Sequence, residues 1–195
     1  TGTLTSGAVE LDHIESCLGS ACAGGDGGVP AAGKVSADDA ARAALAYLVG
    51  GSEANATGSA IAAGLTGLEP AQARYAIAFN SARKWSAVQT QAGAYVLGAP
   101  EIVLAGNTGS GRTGSGSTEA DNADSDGTGV DSTDNAALER VKALAGTGKR
   151  VLVLAHSNQA LDQSENPTLP KDLTAALLVV LAEQVRPDAA QTLDY

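Results

Sequence analysis

The chain has 195 residues, 44% of them hydrophobic, and a formal net charge of -10. This length fits one domain with a sizeable core, and the acidic balance argues against a nucleic-acid or anionic-membrane surface. No apolar run reaches the roughly 18 residues of a membrane span, and no signal peptide opens the sequence. Since aromatic residues make up only 3% of the chain, its core must consist mainly of Ala, Val, Leu and Ile.

The first segment combines a strand with two cysteines. Residues 9–14 alternate in polarity and predict a strand. Cys17 and Cys22 follow in a Gly-rich stretch. A structural zinc site needs four ligands, and nothing in the sequence places His13 or His156 near the cysteines. We therefore expect two free thiols, as is usual in a reducing compartment.

Two helices follow. Residues 36–49 have the clearest helical pattern, in which Ser36 is a suitable N-cap and Gly50 and Gly51 end the helix. Asp38 and Asp39 fall in its first turn, where they complement the helix dipole. Asn55 is a suitable N-cap for a second helix that extends to residue 65.

The stretch from Arg74 to Glu101 contains the chain's only Phe and only Trp. Segments 74–79, 85–90 and 93–97 mix apolar and polar residues without a helical stripe, and they predict an antiparallel meander. We expect one aromatic face beside a cluster of cations, a combination that suits a purine nucleotide because rings stack on the base and cations meet phosphates. The alternative is that Phe79 belongs to the core and the cations are solvated.

The remainder of the chain alternates loops, helices and strands. Pro100 fits the first turn of a short helix, and residues 105–135 are so polar that they predict a long mobile loop. Its formal GxGxxG run at residues 109–114 lacks the strand and helix of a dinucleotide site, and Gly148-Lys149 lacks the rest of a Walker A motif. A helix is predicted over 136–145, and strands over 150–156 and 174–182.

Three short motifs occur in a set order. The chain opens with Thr1-Gly2-Thr3-Leu4-Thr5, followed by FNSARK at residues 79–84 and GAPE at residues 98–101. These motifs resemble the DKTGTLT, F-[DNS]-S-x-R-K and KGAPE signatures of the P-type cation-transporting ATPases. The variant with RKWSAV and VLGAPE looks most like the actinobacterial CtpE-type, calcium-transporter-like branch.

This resemblance implies a nucleotide-binding domain of α+β class, with a twisted antiparallel sheet of about six or seven strands flanked by helices. The domain would bind ATP with Mg²⁺ and present the γ-phosphate to an Asp of a neighbouring domain. Phe79 would stack on adenine, and Lys84 and Arg150 would face the phosphates. For Arg150, an equally open alternative is an arginine at the strand edge that pairs with an acidic residue. The implied nucleotide-binding residues are Phe79, Ser81, Arg83, Lys84, Leu97, Gly98, Ala99 and Arg150.

The resemblance also implies how the chain is divided. Residues 1–7 would end a hinge, 8–182 would form the nucleotide-binding domain, and 183–195 would return to the phosphorylation domain. Thr1, Gly2, Thr3 and Arg186 would line the phosphate side of that hinge. The phosphorylated Asp would precede Thr1, so we expect no catalytic residue here, no metal ligand, and no activity of the isolated chain, which we expect to be monomeric.

In the parent, the expected partners are the phosphorylation, actuator and transmembrane domains of the same chain, on the cytoplasmic side of a bacterial plasma membrane. Two positions depart from the family pattern. Gly58 stands where many members have a Glu that contacts adenine, and Leu97 replaces the Lys of KGAPE. These departures favour the alternative of a scaffold or regulatory domain with lost or very weak nucleotide binding. No His precedes a Pro, so the heavy-metal branch is not indicated.

Overall fold

The computed structural model describes residues 5–17, 36–51, 55–104 and 132–185. Within these ranges the chain forms six strands and four helices. The strands are β1 (Thr5–Ser16), β2 (Tyr75–Asn80), β3 (Trp85–Thr90), β4 (Gly93–Gly98), β5 (Arg150–Ser157) and β6 (Thr174–Val185). The helices are α1 (Ala37–Val49), α2 (Ala56–Gly64), α3 (Pro100–Val103) and α4 (Ser132–Gly146).

All six strands join one antiparallel sheet in the order β1-β6-β5-β4-β3-β2. The predicted meander is confirmed as β2-β3-β4, and the predicted fold class, α+β with about six or seven antiparallel strands, is confirmed with six in the described part of the chain. Since β2 and β1 are the two edges, the motif at residues 79–84 lies at one edge of the sheet. β1 lies at the other.

Helices cover both faces of the sheet. On the face that we call the α1 face, α1 and α2 pack over a core that includes Val88, Leu97 and Leu154. On the opposite face, the α4 face, α3 and α4 pack over a core that includes Trp85 and Val153. Because strand side chains alternate between faces, the strands β3, β4, β5 and β6 contribute to both cores.

The helix starts follow from their capping residues. The Ser36 hydroxyl accepts a hydrogen bond from the Asp39 N–H at 3.1 Å, and the Asp39 carboxylate accepts one from the Ser36 N–H at 3.2 Å, which completes a capping box. The Asn55 side chain accepts from the Gly58 N–H at 2.8 Å and starts α2. Both predicted N-caps are therefore confirmed.

The structure corrects several boundaries. β1 and β6 extend beyond the predicted 9–14 and 174–182, because each is the other's ladder partner over most of its length. α4 begins at Ser132, so the predicted loop and helix boundary at residues 135 and 136 is wrong. The rest of that predicted loop, residues 105–131, lies outside the described residues, as do Thr1, Gly2, Thr3 and Arg186.

The cysteine prediction is also wrong. Cys17 is fully buried at the end of β1 and is disulfide-bonded, not a free thiol. Cys22, the only other cysteine of the chain, lies outside the described residues. The Cys17 N–H donates to the Ala176 carbonyl at 2.8 Å, which ties this end of β1 to β6.

Candidate functional site

The FNSARK motif forms a tight turn between the edge strand β2 and β3. The Asn80 carboxamide oxygen accepts a hydrogen bond from the Ala82 N–H at 2.8 Å, and the Asn80 carbonyl accepts one from the Lys84 N–H at 2.7 Å. Asn is well suited to this position because its short side chain can bond to the backbone two residues later. Ser81 is exposed at the tip of the turn.

Lys84 closes the turn with a left-handed backbone. Its φ is 62°, and it is the only residue other than Gly with a positive φ in the described ranges. This conformation costs an L-residue about 1–2 kcal/mol relative to the right-handed one. Such outliers are concentrated at binding and catalytic sites, and here the outlier is an exposed lysine at the end of the turn that follows Phe79.

Phe79 is the most exposed large hydrophobic side chain that the structure describes, with 52% of its surface accessible. An exposed Phe is unfavourable by roughly 1.5–3 kcal/mol compared with a buried one. Because half of the Phe79 side chain is accessible, the alternative that Phe79 belongs to the core is wrong.

A β-bulge sets the direction of Phe79. Ile77 pairs with Ala87 and Asn80 pairs with Trp85, so Ala78 and Phe79 stand together opposite Ser86. A bulge of this kind interrupts the alternation of side chains along the strand. Regular alternation would place Phe79 on the Ile77 side, which is the α4 face, whereas the bulge places it with Ser86.

The ladder then relates Phe79 to the other candidate residues. Ser86 pairs with Leu97, and Leu97 pairs with Leu154, which lies in the α1-face core. Cross-strand partners share a face, so Phe79 and Leu97 lie on the α1 face. Arg150 is exposed and pairs with Leu181 of the same core, which puts it on this face as well.

The distances on this face suit an elongated ligand. Phe79 and Arg150 are separated by three strand spacings of about 4.8 Å and, along the strand, by four residues of about 3.4 Å each. The two backbones are therefore roughly 20 Å apart, and both side chains are long enough to shorten the gap. An aromatic ring lies at one end of this surface and a guanidinium at the other.

Leu97 lies between them and is only 8% exposed. It packs in the α1-face core, so a buried apolar side chain stands where the family motif has a Lys. The Lys of the KGAPE motif is thus replaced by a core residue, and this position adds no cation to the α1 face.

Arg83 interacts mainly with its own turn. Its Nη2 donates to the Ala78 carbonyl at 3.1 Å, and its guanidinium carbon lies 5.5 Å from the centre of the Trp85 ring. Its Nε is buried and has no hydrogen-bond partner among the described residues. A buried donor without a partner is uncommon in proteins, and a ligand acceptor would satisfy it.

Trp85 corrects another expectation. It is 4% exposed and lies in the α4-face core, while Tyr95 is 3% exposed and lies in the α1-face core. The prediction of a single aromatic face on the meander is therefore wrong. Phe79 is the most exposed aromatic side chain of the meander, with 52% of its surface accessible.

Gly98 and Ala99 have structural roles in the turn that follows β4. A Cβ on Gly98 would lie 2.9 Å from Val103 Cγ2 and 3.0 Å from the Lys84 carbonyl oxygen. Gly98 is thus required for close packing between β4, α3 and the FNSARK turn. Ala99 is the N-cap position of α3 and provides no side-chain hydrogen bond.

A cavity of about 300 Å³ lies elsewhere on the α1 face, and none of the predicted nucleotide-binding residues lines it. Its walls are Ser36, Ala37, Ala40, Ala92, Tyr95, His156 and Ala176. Tyr95 and Ala92 lie at the end of the β3–β4 hairpin that is distant from the FNSARK turn. Burial raises the pKa of the Tyr95 phenol.

Within the described ranges, no group of three or more His, Cys, Asp or Glu side chains is arranged to hold a metal ion. None of the helices described is long and apolar enough to cross a membrane.

Sequence comparison identifies relatives among transport ATPases. The calcium-transporting ATPase CtpE of Mycobacterium bovis is 31% identical over 118 residues, which covers 60% of this chain and 11% of the relative. CtpE of Mycolicibacterium smegmatis is 32% identical over 118 residues, with the same coverage. A probable cation-transporting ATPase, exp7, of Streptococcus pneumoniae is 27% identical over 196 aligned residues, which covers 100% of this chain and 19% of the relative.

No family model matches the chain. Among solved structures, the crystal structure of a zinc-transporting PIB-type ATPase aligns over 100% of this chain and 22% of its own, with 17% identity and a TM-score of 0.49. The chain spans 11–19% of the length of the curated relatives it matches. The resemblance to P-type cation-transporting ATPases, with the CtpE type among the relatives, is confirmed.

Proposed function

We propose that this chain is the nucleotide-binding domain of a P-type cation-transporting ATPase and that it holds ATP for phosphoryl transfer to a neighbouring domain. The exposure of Phe79 carries the proposal, because an aromatic ring that is 52% accessible at a sheet edge is a platform for stacking. Lys84, in the turn that follows Phe79, supplies an exposed cation.

In this arrangement the adenine ring stacks on Phe79, on the face of the sheet to which Leu97 also belongs. The phosphates run along the α1 face toward Arg150, with Lys84 near the start of the path and Mg²⁺ bound to the phosphates. Ser81 and Arg83 hold the turn, and Gly98 and Ala99 support it from β4. The domain contributes position and charge neutralisation, which supply most of the rate in phosphoryl transfer.

The proposal extends to the parent protein. Its phosphorylation, actuator and transmembrane domains would be the partners of this domain, with ATP supplied from the cytoplasm of a bacterium. Thr1, Gly2, Thr3 and Arg186 would belong to the hinge beside the phosphorylated Asp. The relatives' names give cation transport as the work that ATP hydrolysis would drive.

A second candidate is a domain of the same fold that has lost nucleotide binding. The burial of Leu97 favours it, because the family's Lys is replaced by a core residue. Gly58 favours it too, since it has no side chain with which to contact a base.

Binding of ATP by a Phe79 series separates the two candidates. The unmodified chain should bind with a dissociation constant near 1 mM, about -4 kcal/mol. Phe79→Ala should lose the stacking contribution of roughly 1–3 kcal/mol, which raises the dissociation constant about 5- to 150-fold. Phe79→Tyr should bind like the unmodified chain, and Phe79→Leu should bind more weakly than Phe79→Tyr.

Isothermal titration calorimetry with Mg·ATP at high protein concentration measures this series. Equal affinity of the Ala, Leu and Tyr variants would contradict stacking on Phe79. Absence of heat or NMR shifts up to about 10 mM ATP in the unmodified chain would favour the domain without nucleotide binding.

A further inference from the structure

A chain of ion pairs joins β1 to α4 on the α4 face, away from the proposed nucleotide surface. We call it the β1–α4 clasp, and it consists of Asp12, His13, Glu15, Arg140 and Lys149. Glu15 is fully buried, and Arg140 of α4 contacts it with both Nε and Nη2, at 2.9 Å to Oε2 and 2.6 Å to Oε1. At the other end, Lys149 Nζ lies 2.9 Å from Asp12 Oδ1.

His13 connects the two ends of the clasp. Its Nδ1 lies 2.7 Å from Asp12 Oδ2, and its Nε2 lies 2.9 Å from Glu15 Oε1. An ionised carboxylate can only accept hydrogen bonds, so each ring nitrogen must donate. Only the imidazolium form has two N–H groups. The geometry of the clasp is therefore that of a protonated histidine.

A second β-bulge makes this arrangement possible. Leu11 pairs with Leu181 and His13 with Val180, so Asp12 is an extra residue in β1. Without the bulge, the neighbours Asp12 and His13 would point to opposite faces. With it, both point to the α4 face, to which Glu15 also belongs as the partner of Leu178.

The two carboxylates remain ionised through partners other than His13. The hydrogen bond from Arg140 lowers the pKa of Glu15, and that from Lys149 lowers the pKa of Asp12. Hydrogen bonding to Glu15, and then to Asp12, raises the pKa of His13 above its ordinary value of 6.5, although partial burial opposes the shift. The proton on His13 is thus the one in the clasp that changes nearest neutral pH.

The remaining surroundings of His13 add few charges. Glu10 lies on the same face of β1, as the partner of Ala182. Residues 174–182 of β6 contain no ionisable side chain, and α2, which packs on β1, contains none. On α4, Glu139 and Lys142 pair with each other at 2.7 Å and are largely exposed.

We propose that the β1–α4 clasp is a pH-sensitive lock, closed while His13 carries two ring protons and loosened when one is lost. On deprotonation, one ring nitrogen presents a lone pair to a carboxylate oxygen, so that one hydrogen bond of the clasp becomes a repulsive contact. The elements released are α4, through Arg140, and the start of β5, through Lys149. The proposal does not depend on ATP binding, since the clasp lies on the opposite face of the sheet.

NMR of the two histidine rings tests the lock directly. His13 should titrate above pH 6.5 in the folded chain. Asp12→Asn should lower the pKa of His13, because it removes one of the two carboxylates that hold the ring. The second ring, His156, contacts the Ala92 carbonyl oxygen through Nε2 at 2.8 Å and serves as the assignment reference. A pKa of His13 at or below 6.5 in the unmodified chain would overturn the proposal.

Hydrogen exchange tests the loosening itself. After correction for the intrinsic rate, protection of amides in α4 and in residues 9–15 should fall between about pH 6 and pH 8.5, by about tenfold for each unit by which the pKa of His13 exceeds its ordinary value. His13→Gln should remove this pH dependence, and the matched variant His156→Gln should retain it. Equal corrected protection at both pH values in the unmodified chain would also overturn the proposal.

Discussion

Individual residues at the motif turn determine what this surface can bind. Lys84 has a left-handed backbone, a conformation that a Gly would adopt more easily. The sequence nevertheless has a lysine at this position, and so it places a cation in the turn. Lys84 is exposed, and its attraction to phosphate is screened by salt over about 8 Å at physiological ionic strength. The net charge of -10 is spread over the whole chain, so nearby cations dominate at the turn.

Lys84→Ala should weaken the binding of ATP more than the binding of adenosine, because only ATP offers phosphate oxygens. We expect a roughly two- to fivefold loss of ATP affinity, equivalent to about 0.4–1 kcal/mol for an exposed charge contact, and no change for adenosine. Lys142→Ala is the matched control, since Lys142 is an exposed lysine on α4. Calorimetric titrations at two salt concentrations measure the effect. An equal loss for ATP and adenosine would mean that the variant distorts the turn.

Residue types could predict this site only in part. The family resemblance implied roles for Phe79, Lys84 and Arg150 together, and local hydrogen bonding explains why Asn80 forms the turn. The bulge that directs Phe79 to the α1 face depends on the pairing of β2 with β3, which residue types do not specify. The separation of Trp85 from Phe79 has the same cause, and so the single aromatic face was predicted wrongly.

At the scale of helices and strands, the contact between β1 and α4 joins parts of the chain that are far apart in sequence. Glu15 and Arg140 are 125 residues apart in sequence. No sequence pattern pairs them, because either could be a solvated surface charge. Helix caps, by contrast, involve residues three apart, and both Ser36 and Asn55 were predicted correctly.

Arg140→Ala should destabilise the fold by about 2–3 kcal/mol, because it leaves a buried carboxylate with few partners. The value is below that of a fully buried pair because Arg140 is 43% exposed. Since the folded-state pKa of Glu15 is lowered from 4.5, this stabilisation is present above pH 4.5 and is lost as pH falls through the folded-state pKa.

Urea unfolding at about pH 7 and about pH 3 measures how much Arg140→Ala lowers the free energy of unfolding at each pH. Lys142→Ala is the control and should change the free energy of unfolding by less than about 0.5 kcal/mol. If Arg140→Ala costs no more than the control at neutral pH, Glu15 does not need its arginine partner.

At the scale of the whole molecule, our two proposals fall on opposite faces of the one sheet that the structure describes. The α1 face carries Phe79, Leu97 and Arg150, and the α4 face carries the β1–α4 clasp. Its class, an α+β domain with an antiparallel sheet, followed from strand patterns and the resemblance together. The lengths of β1 and β6 could not be predicted in this way, because the ends of these long strands are set by their pairing with each other.

The central claim is that the α1 face binds ATP between the FNSARK turn and the start of β5. Amide chemical shifts of the ¹⁵N-labelled chain, titrated with Mg·ATP to about 10 mM, test it most directly. We predict saturable shifts at residues 79–84, at Leu97 and at Arg150, with a dissociation constant near 1 mM, about -4 kcal/mol, and at least fivefold weaker binding by the same shifts in Phe79→Ala. Absence of saturable shifts, or shifts confined to the cavity beside Tyr95 and His156, would contradict the claim.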